Sequence, residues 1–104
     1  MKVTAWNNGN YHPSGAGYGL KVAVNDRDRY FDRSWQVVTV RIPDGSEAGV
    51  NVAKRSFWND SCRELISKEI GQWMVRSGLA PWQKGHPPTF DLEPLANGCF
   101  ELSG

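Results

Sequence analysis

The chain has 104 residues, which suits one domain and leaves no room for a second of ordinary size. Hydrophobic residues at 39% and charged residues at 22% are the proportions of a folded globular protein and exclude wholesale disorder. Lys+Arg 12 against Asp+Glu 11 gives a formal net charge of +1, so the overall basic excess that marks many nucleic-acid-binding domains is missing. A role of that kind has to come from where the charges sit.

No apolar run approaches the ~18 residues of a membrane span, and Met1 to Asn7 lacks the apolar core of a secretory signal. Cytoplasmic residence without a membrane partner is expected. Cys62 and Cys99 stand far apart and form no C-x-x-C pair, which excludes a zinc knuckle or a thioredoxin-like motif. Both are expected as buried free thiols, with a disulfide as an alternative that the spacing does not signal.

In chain order, Val3 to Trp6 reads as a short strand. Asn7 to Gly17 is polar and rich in turn formers, so it is a loop, and a long one for a hairpin. Gly19 to Val24 alternates as a half-buried strand does. Asn25-Asp26 caps a short helix over Arg27 to Phe31. Trp35 to Ile42 is β-branched and ends at the turn Pro43-Asp44-Gly45-Ser46, and Glu47 to Ala53 returns antiparallel to it. Lys54 to Asp60 is a second prominent loop. Ser61-Cys62-Arg63-Glu64 matches a capping box from which a helix can start, with Ser67 as the alternative cap. Ile66, Ile70, Trp73 and Met74 share one helical face, and the helix stops at Ser77-Gly78. Thr89 to Glu93 and Cys99 to Leu102 are strands joined through Asn97-Gly98, the strongest short hairpin signal in the chain. The strands together call for one larger, closing sheet.

This order of elements resembles the B3 family of DNA-binding pseudobarrels, found in plant transcription factors and in recognition domains of bacterial restriction endonucleases. The residues that carry the resemblance are Leu20 to Val24, Asp26 to Phe31, Trp35 to Ile42 with Pro43-Asp44-Gly45 and Val50-Asn51-Val52, the helix Ile70 to Leu79, and the pair Phe90-Asp91-Leu92 and Phe100-Glu101-Leu102. Gly85-His86-Pro87-Pro88 stands where the family usually has Gly-Asp. The resemblance implies a mostly β fold: an open seven-stranded β-pseudobarrel with two short helices. It also implies a non-catalytic partner for duplex DNA, held in the major groove between two loop arms.

By position those arms are Asn7 to Gly17 and Lys54 to Asp60. Asn7, Asn8, Asn10, His12 and Ser14 supply neutral hydrogen-bonding groups in the first, and an asparagine amide matches adenine N6/N7. Lys54 and Arg55 supply cations in the second, with Ser56, Trp58 and Asn59 beyond, and Lys21, Arg33 and Arg41 can add backbone contacts. Trp58 is read either as a stacking platform or as a lid on the core. The two arms are expected on the same side of the barrel with a groove between them.

Catalytic motifs are missing. His12 and His86 show no metal-ligand spacing, no G-x-S-x-G surrounds Ser14, and Gly15 to Gly19 precedes a strand rather than a helix. Asp26, Asp28 and Asp32 interleave with Arg27, Arg29 and Arg33 as a solvated, mutually paired face. No cofactor and no catalysis are expected. Two alternatives stay open. One is a protein-interaction module on the same barrel, marked by an apolar patch around Phe57, Trp58 and Trp82. The other is a small-molecule or enzymatic barrel, marked by a deep pocket with a perturbed titratable group.

Overall fold

In the computed structural model, which describes residues 1–104, the chain forms strands β1 (Lys2–Asn7), β2 (Tyr18–Val22), β3 (Val37–Arg41), β4 (Glu47–Asn51), β5 (Glu64–Ile66), β6 (Thr89–Pro94) and β7 (Cys99–Ser103). Helices α1 (Val24–Tyr30), α2 (Arg55–Trp58) and α3 (Lys68–Arg76) fall between them. The seven strands make one sheet in the order β4-β3-β7-β6-β1-β2-β5. All neighbours are antiparallel except β3 and β7, which run parallel with Thr39 opposite Cys99. The edge strands β4 and β5 approach each other without pairing, so the sheet is a nearly closed, mostly β pseudobarrel.

Period-two patterning decides what the barrel encloses. Val3 and Ala5 of β1 pair with Val22 and Leu20 of β2, and all four are buried. Val38, Val40, Ala48, Val50, Leu92, Phe100 and Leu102 continue that inner face. Phe100 stacks on Phe31 at 4.7 Å between centroids, and Phe57 meets Phe31 edge-on at 5.0 Å, so the connections before β3 and β5 close one mouth of the barrel.

Strand directions sort the connections into two ends. Loop 8–17, turn 43–46, α3 and the segment after it lie at the Tyr18 end of β2. Helix α1, residues 31–36, loop 52–63 and turn 95–98 lie at the Val22 end. In the last of these turns Asn97 and Gly98 both take positive φ (60° and 72°), as the tight hairpin demands.

The helix α3 begins at Ser67, whose hydroxyl accepts from the Ile70 amide at 3.2 Å, and buries Ile70, Trp73 and Met74. It ends with Gly78 at φ +74°, and the Leu79 amide donates back to the Met74 carbonyl at 2.8 Å. The capping box at Ser61 therefore starts no helix. Asn59 Oδ1 takes both the Ser61 and Cys62 amides (2.9 and 2.7 Å), and Arg63 adopts φ +64°, which breaks a helix there. The chain enters β5 directly after Arg63, a third short helix α2 lies just upstream, and Ser67 is the true cap.

Three smaller expectations are also corrected. Helix α1 starts at Val24 from an Ala23 cap that makes no side-chain bond, so Asn25 and Asp26 lie inside it. Trp35 precedes β3 and is half-buried, its ring covering Gly98. Cys62 and Cys99 are free but half-exposed rather than buried.

A backbone contact fixes loop 8–17 to α3. A Cβ on Gly71 would collide with the carbonyl oxygen of Gly15, and a Cβ on Gly15 would collide with the carbonyl of Lys68. Only glycine at both positions allows that approach. Above the contact Tyr11 packs on Tyr18 at 5.2 Å, and Tyr18 on Trp82 at 5.8 Å.

Burial, and secondarily the Tyr11 phenol, push the Tyr18 hydroxyl above its ordinary value. Above about pH 10 the unfolded chain gives up this proton while the folded chain keeps it, so stability falls as pH rises through that range and is unchanged below it. Denaturant unfolding between about pH 8 and pH 11 is expected to show that decline, and Tyr18→Phe to flatten it. An equal decline in the variant would place the source elsewhere.

Candidate nucleic-acid interface

The outer face of β1, β2 and β5 is the surface that the two long loops share. Register places Thr4, Lys21 and Glu64 in one cross-strand row, and Trp6, Gly19 and Ile66 in the next. Because Val3, Ala5, Leu20 and Val22 point inward, Thr4, Trp6 and Lys21 point outward. Trp6 is half-exposed and stands apart from the core, and Ile66 is 44% exposed. Gly19 between them is buried, and the Leu65 carbonyl fills the space where a Cβ would stand.

The loops meet this face at its two ends rather than side by side. Loop 8–17 leaves β1 at Asn7 and enters β2 at Tyr18, whereas loop 52–63 enters β5 at Glu64, opposite Lys21. At ~3.3 Å per residue the ends of β2 stand about 13 Å apart. Lys21 Nζ donates to the Ser61 carbonyl at 3.1 Å, which ties the second loop to the outward face.

Hydrogen bonding sorts the first loop. Asn7 Oδ1 accepts from the Gly9 amide at 2.9 Å and Asn8 Oδ1 from the Asn10 amide at 2.8 Å, both the local turns that asparagine favours. His12 Nδ1 faces Ser14 Oγ at 2.9 Å and accepts from the Ser14 amide at 3.0 Å. Both contacts of Nδ1 are thus with Ser14, and Nε2 has no protein partner. His12 to Gly17 is folded onto α3, and Asn10 is the one asparagine of this loop whose amide group is wholly unengaged.

The second loop is held from below by Arg27. This side chain, 3% exposed, donates to the Phe57 carbonyl at 3.2 Å and to the Asn59 carbonyl at 2.6 Å. It also pairs with Asp28 at 2.9 Å and Asp60 at 3.6 Å. The reading of Arg27 as part of a solvated face is thus corrected: it keeps its local pairing with Asp28 but is buried, and its other partners lie about thirty residues downstream, where local patterning carries no signal. Arg63 adds a second clamp, with Nε donating to the Val22 carbonyl at 2.8 Å and Nη1 to the Asp60 carbonyl.

On that support, Arg55 is exposed and makes no ion pair. Lys54 is half-buried. Burial lowers its ammonium below the ordinary lysine value, and the Glu64 carboxylate works against that shift. Ser56 is half-buried, with its carbonyl accepting from the Arg63 amide at 3.0 Å. Asn59 is a staple, spending its oxygen on two amides and its Nδ2 on Cys62 Sγ at 3.7 Å. Trp58 is half-buried and packs on the core with Nε1 donating to the Val52 carbonyl at 2.9 Å.

The marks of the alternatives fall differently. Phe57 is fully buried, and Trp58 and Trp82 belong to opposite ends of the barrel, so those three form no common patch. The one concavity is a shallow cleft of ≈ 330 Å³ between turn 43–46 and β7, lined by Arg41, Glu47 and Glu101. No residue of either long loop lines it. No three His, Cys, Asp or Glu side chains converge as metal ligands, and no helix is long and apolar enough to cross a membrane. Comparison of the chain with known protein families, with curated proteins and with solved structures finds no match.

Proposed function

We propose that the chain is a non-catalytic, B3-like binding domain for duplex DNA, acting in the cytoplasm through the outward face of β1, β2 and β5 and the loops at its two ends. The observation that carries this reading is the placement of Lys21 beside the second loop, on an outward face that it shares with Lys2, Thr4, Trp6, Ile66 and the largely buried Glu64. The loops leave β2 about 13 Å apart, of the order of a major-groove width of about 12 Å. Arg55 meets phosphate or guanine from one end, and Asn10 reaches a base edge from the other. Thr4 can pair with either kind of base, and Trp6 and Ile66 offer apolar contact to thymine methyl groups.

Selection from a randomised duplex pool at low and moderate salt tests the reading. Wild type should retain duplexes, and enrichment should name a site. The double variant Lys54→Ala with Arg55→Ala should weaken binding by roughly tenfold and lower the logarithmic salt slope by about one to two, since each lost phosphate contact removes nearly one unit. Retention that is absent at low salt would turn the assignment toward a protein partner.

A further inference from the structure

Trp58 is held more firmly than a surface lid requires. Its Nε1 bond to the Val52 carbonyl sets the ring plane, and its edge-on contact with Phe57 at 5.4 Å and 90° fixes the tilt. Two guanidinium groups lie over the ring: the buried Arg27 at 5.3 Å from the centroid and the exposed Arg33 at 4.6 Å. Arg27 is committed to carbonyls and carboxylates. Arg33 makes no ion pair and no side-chain hydrogen bond, so the indole is its only partner. Arg55 stands one helical turn before Trp58 on α2, at the i,i+3 spacing that makes side chains neighbours.

From this geometry we infer that Trp58 and Arg33 form a stacking slot for one unpaired nucleobase, with Arg55 placed for its phosphate. An exposed cation over an indole is a weak contact, readily exchanged. A base entering between them keeps a stacking partner on each side, Trp58 below and the planar guanidinium above. The rigid ring means that little ordering is left for the ligand to impose. Paired bases are already stacked within the duplex, so the slot selects a base that is bulged, mismatched or single-stranded. The inference rests on the DNA-binding reading, and the test separates the two.

Three probes carrying the same 2-aminopurine are titrated at one salt concentration: a fully paired duplex, a duplex with the 2-aminopurine as a single-base bulge, and a single strand. The expected result is a bulge preferred over the paired duplex by about tenfold, with 2-aminopurine emission quenched on binding. Trp58→Leu should abolish both the preference and the quenching, lowering bulge affinity by about tenfold more than paired-duplex affinity. Arg33→Gln, at an exposed position where folding is not at stake, should reduce the preference severalfold. Equal affinity for bulged and paired duplex overturns the slot and leaves the duplex reading standing. Binding of the single strand alone, with quenching that Trp58→Leu removes, supports the slot and overturns the duplex reading. Binding of none of the three overturns both.

Discussion

Replacing Arg27 by methionine is expected to destabilise the protein by about 2–4 kcal/mol, the largest single-residue loss outside the apolar core. The size of the loss comes from the groups that the guanidinium holds. Its carboxylate partners Asp28 and Asp60 are 57% and 88% exposed, so losing the cation strands no buried charge, and those pairs contribute little. The two carbonyls are different. Phe57 O and Asn59 O each receive a charge-assisted hydrogen bond, worth about 1.5–3 kcal/mol apiece, and methionine supplies no donor. The methionine stem retains most of the packing against Trp58, which keeps the change from being larger.

For a domain whose total stability is expected in the range of about 5–15 kcal/mol, this lowers the melting temperature by roughly 10–25 °C. Arg27→Lys should recover part of the loss, because a point ammonium reaches one carbonyl rather than two. Denaturant unfolding of the three forms checks the order. A methionine variant within about 0.5 kcal/mol of wild type would show that the loop is held by something other than these bonds.

The second large effect opposes intuition about helices. Gly71 lies inside α3, where exchange for alanine normally gains about 1 kcal/mol of helix propensity. Here the new methyl would enter the carbonyl and Cα of Gly15, which are backbone and cannot rotate away. Overpacking against fixed atoms costs about 1–3 kcal/mol and sometimes more, so the clash outweighs the propensity. Gly71→Ala is therefore expected to lose about 1–3 kcal/mol and to release loop 8–17 from α3. Amide exchange in residues 12–17 should accelerate while that in β3 and β4 does not.

The contact has two sides, so Gly15→Ala should add less in the Gly71→Ala background than alone. Full additivity would mean that the two glycines act separately. Gln72→Ala, one position along and half-buried, is the control expected to stay within about 0.5 kcal/mol.

These two positions also show what local sequence can and cannot convey. The hairpins β3–β4 and β6–β7 and the helix α3 are readable because long alternation, Pro-Asp-Gly, Asn-Gly and the Ser-Gly stop all agree. The strand β5 is not readable, because three residues give no period and the capping-box pattern before them points to a helix. The competing Asn59 acceptor and the left-handed Arg63 decide that segment, and neither has a pattern of its own. Helix α2 is a single turn without a side-chain cap, so it too leaves no mark.

Within the candidate site, the alternation around Lys21 is visible in the sequence, but the surface it faces is set by the pairing of β2 with β1 and β5. The local turns of Asn7 and Asn8 come from asparagine two residues before a free amide, a signal the composition already contains. The roles of Arg27 and Arg33 are hidden, since both depend on Trp58 and its neighbours arriving from a distant segment. Where the loops sit relative to one another is equally hidden, being set by the pairing of β2 with β5.

The most direct measurement of DNA binding by this face is a titration of isotope-labelled protein with short duplex DNA, monitored by backbone amide shifts at two salt concentrations. Perturbations should weaken with salt and cluster at Thr4, Trp6, Lys21, Ile66, Asn10 and residues 54–58, while β3, β4 and the outer face of β6–β7 stay silent. Shifts centred on Arg41, Glu47 and Glu101, or no shifts at low salt, would contradict it.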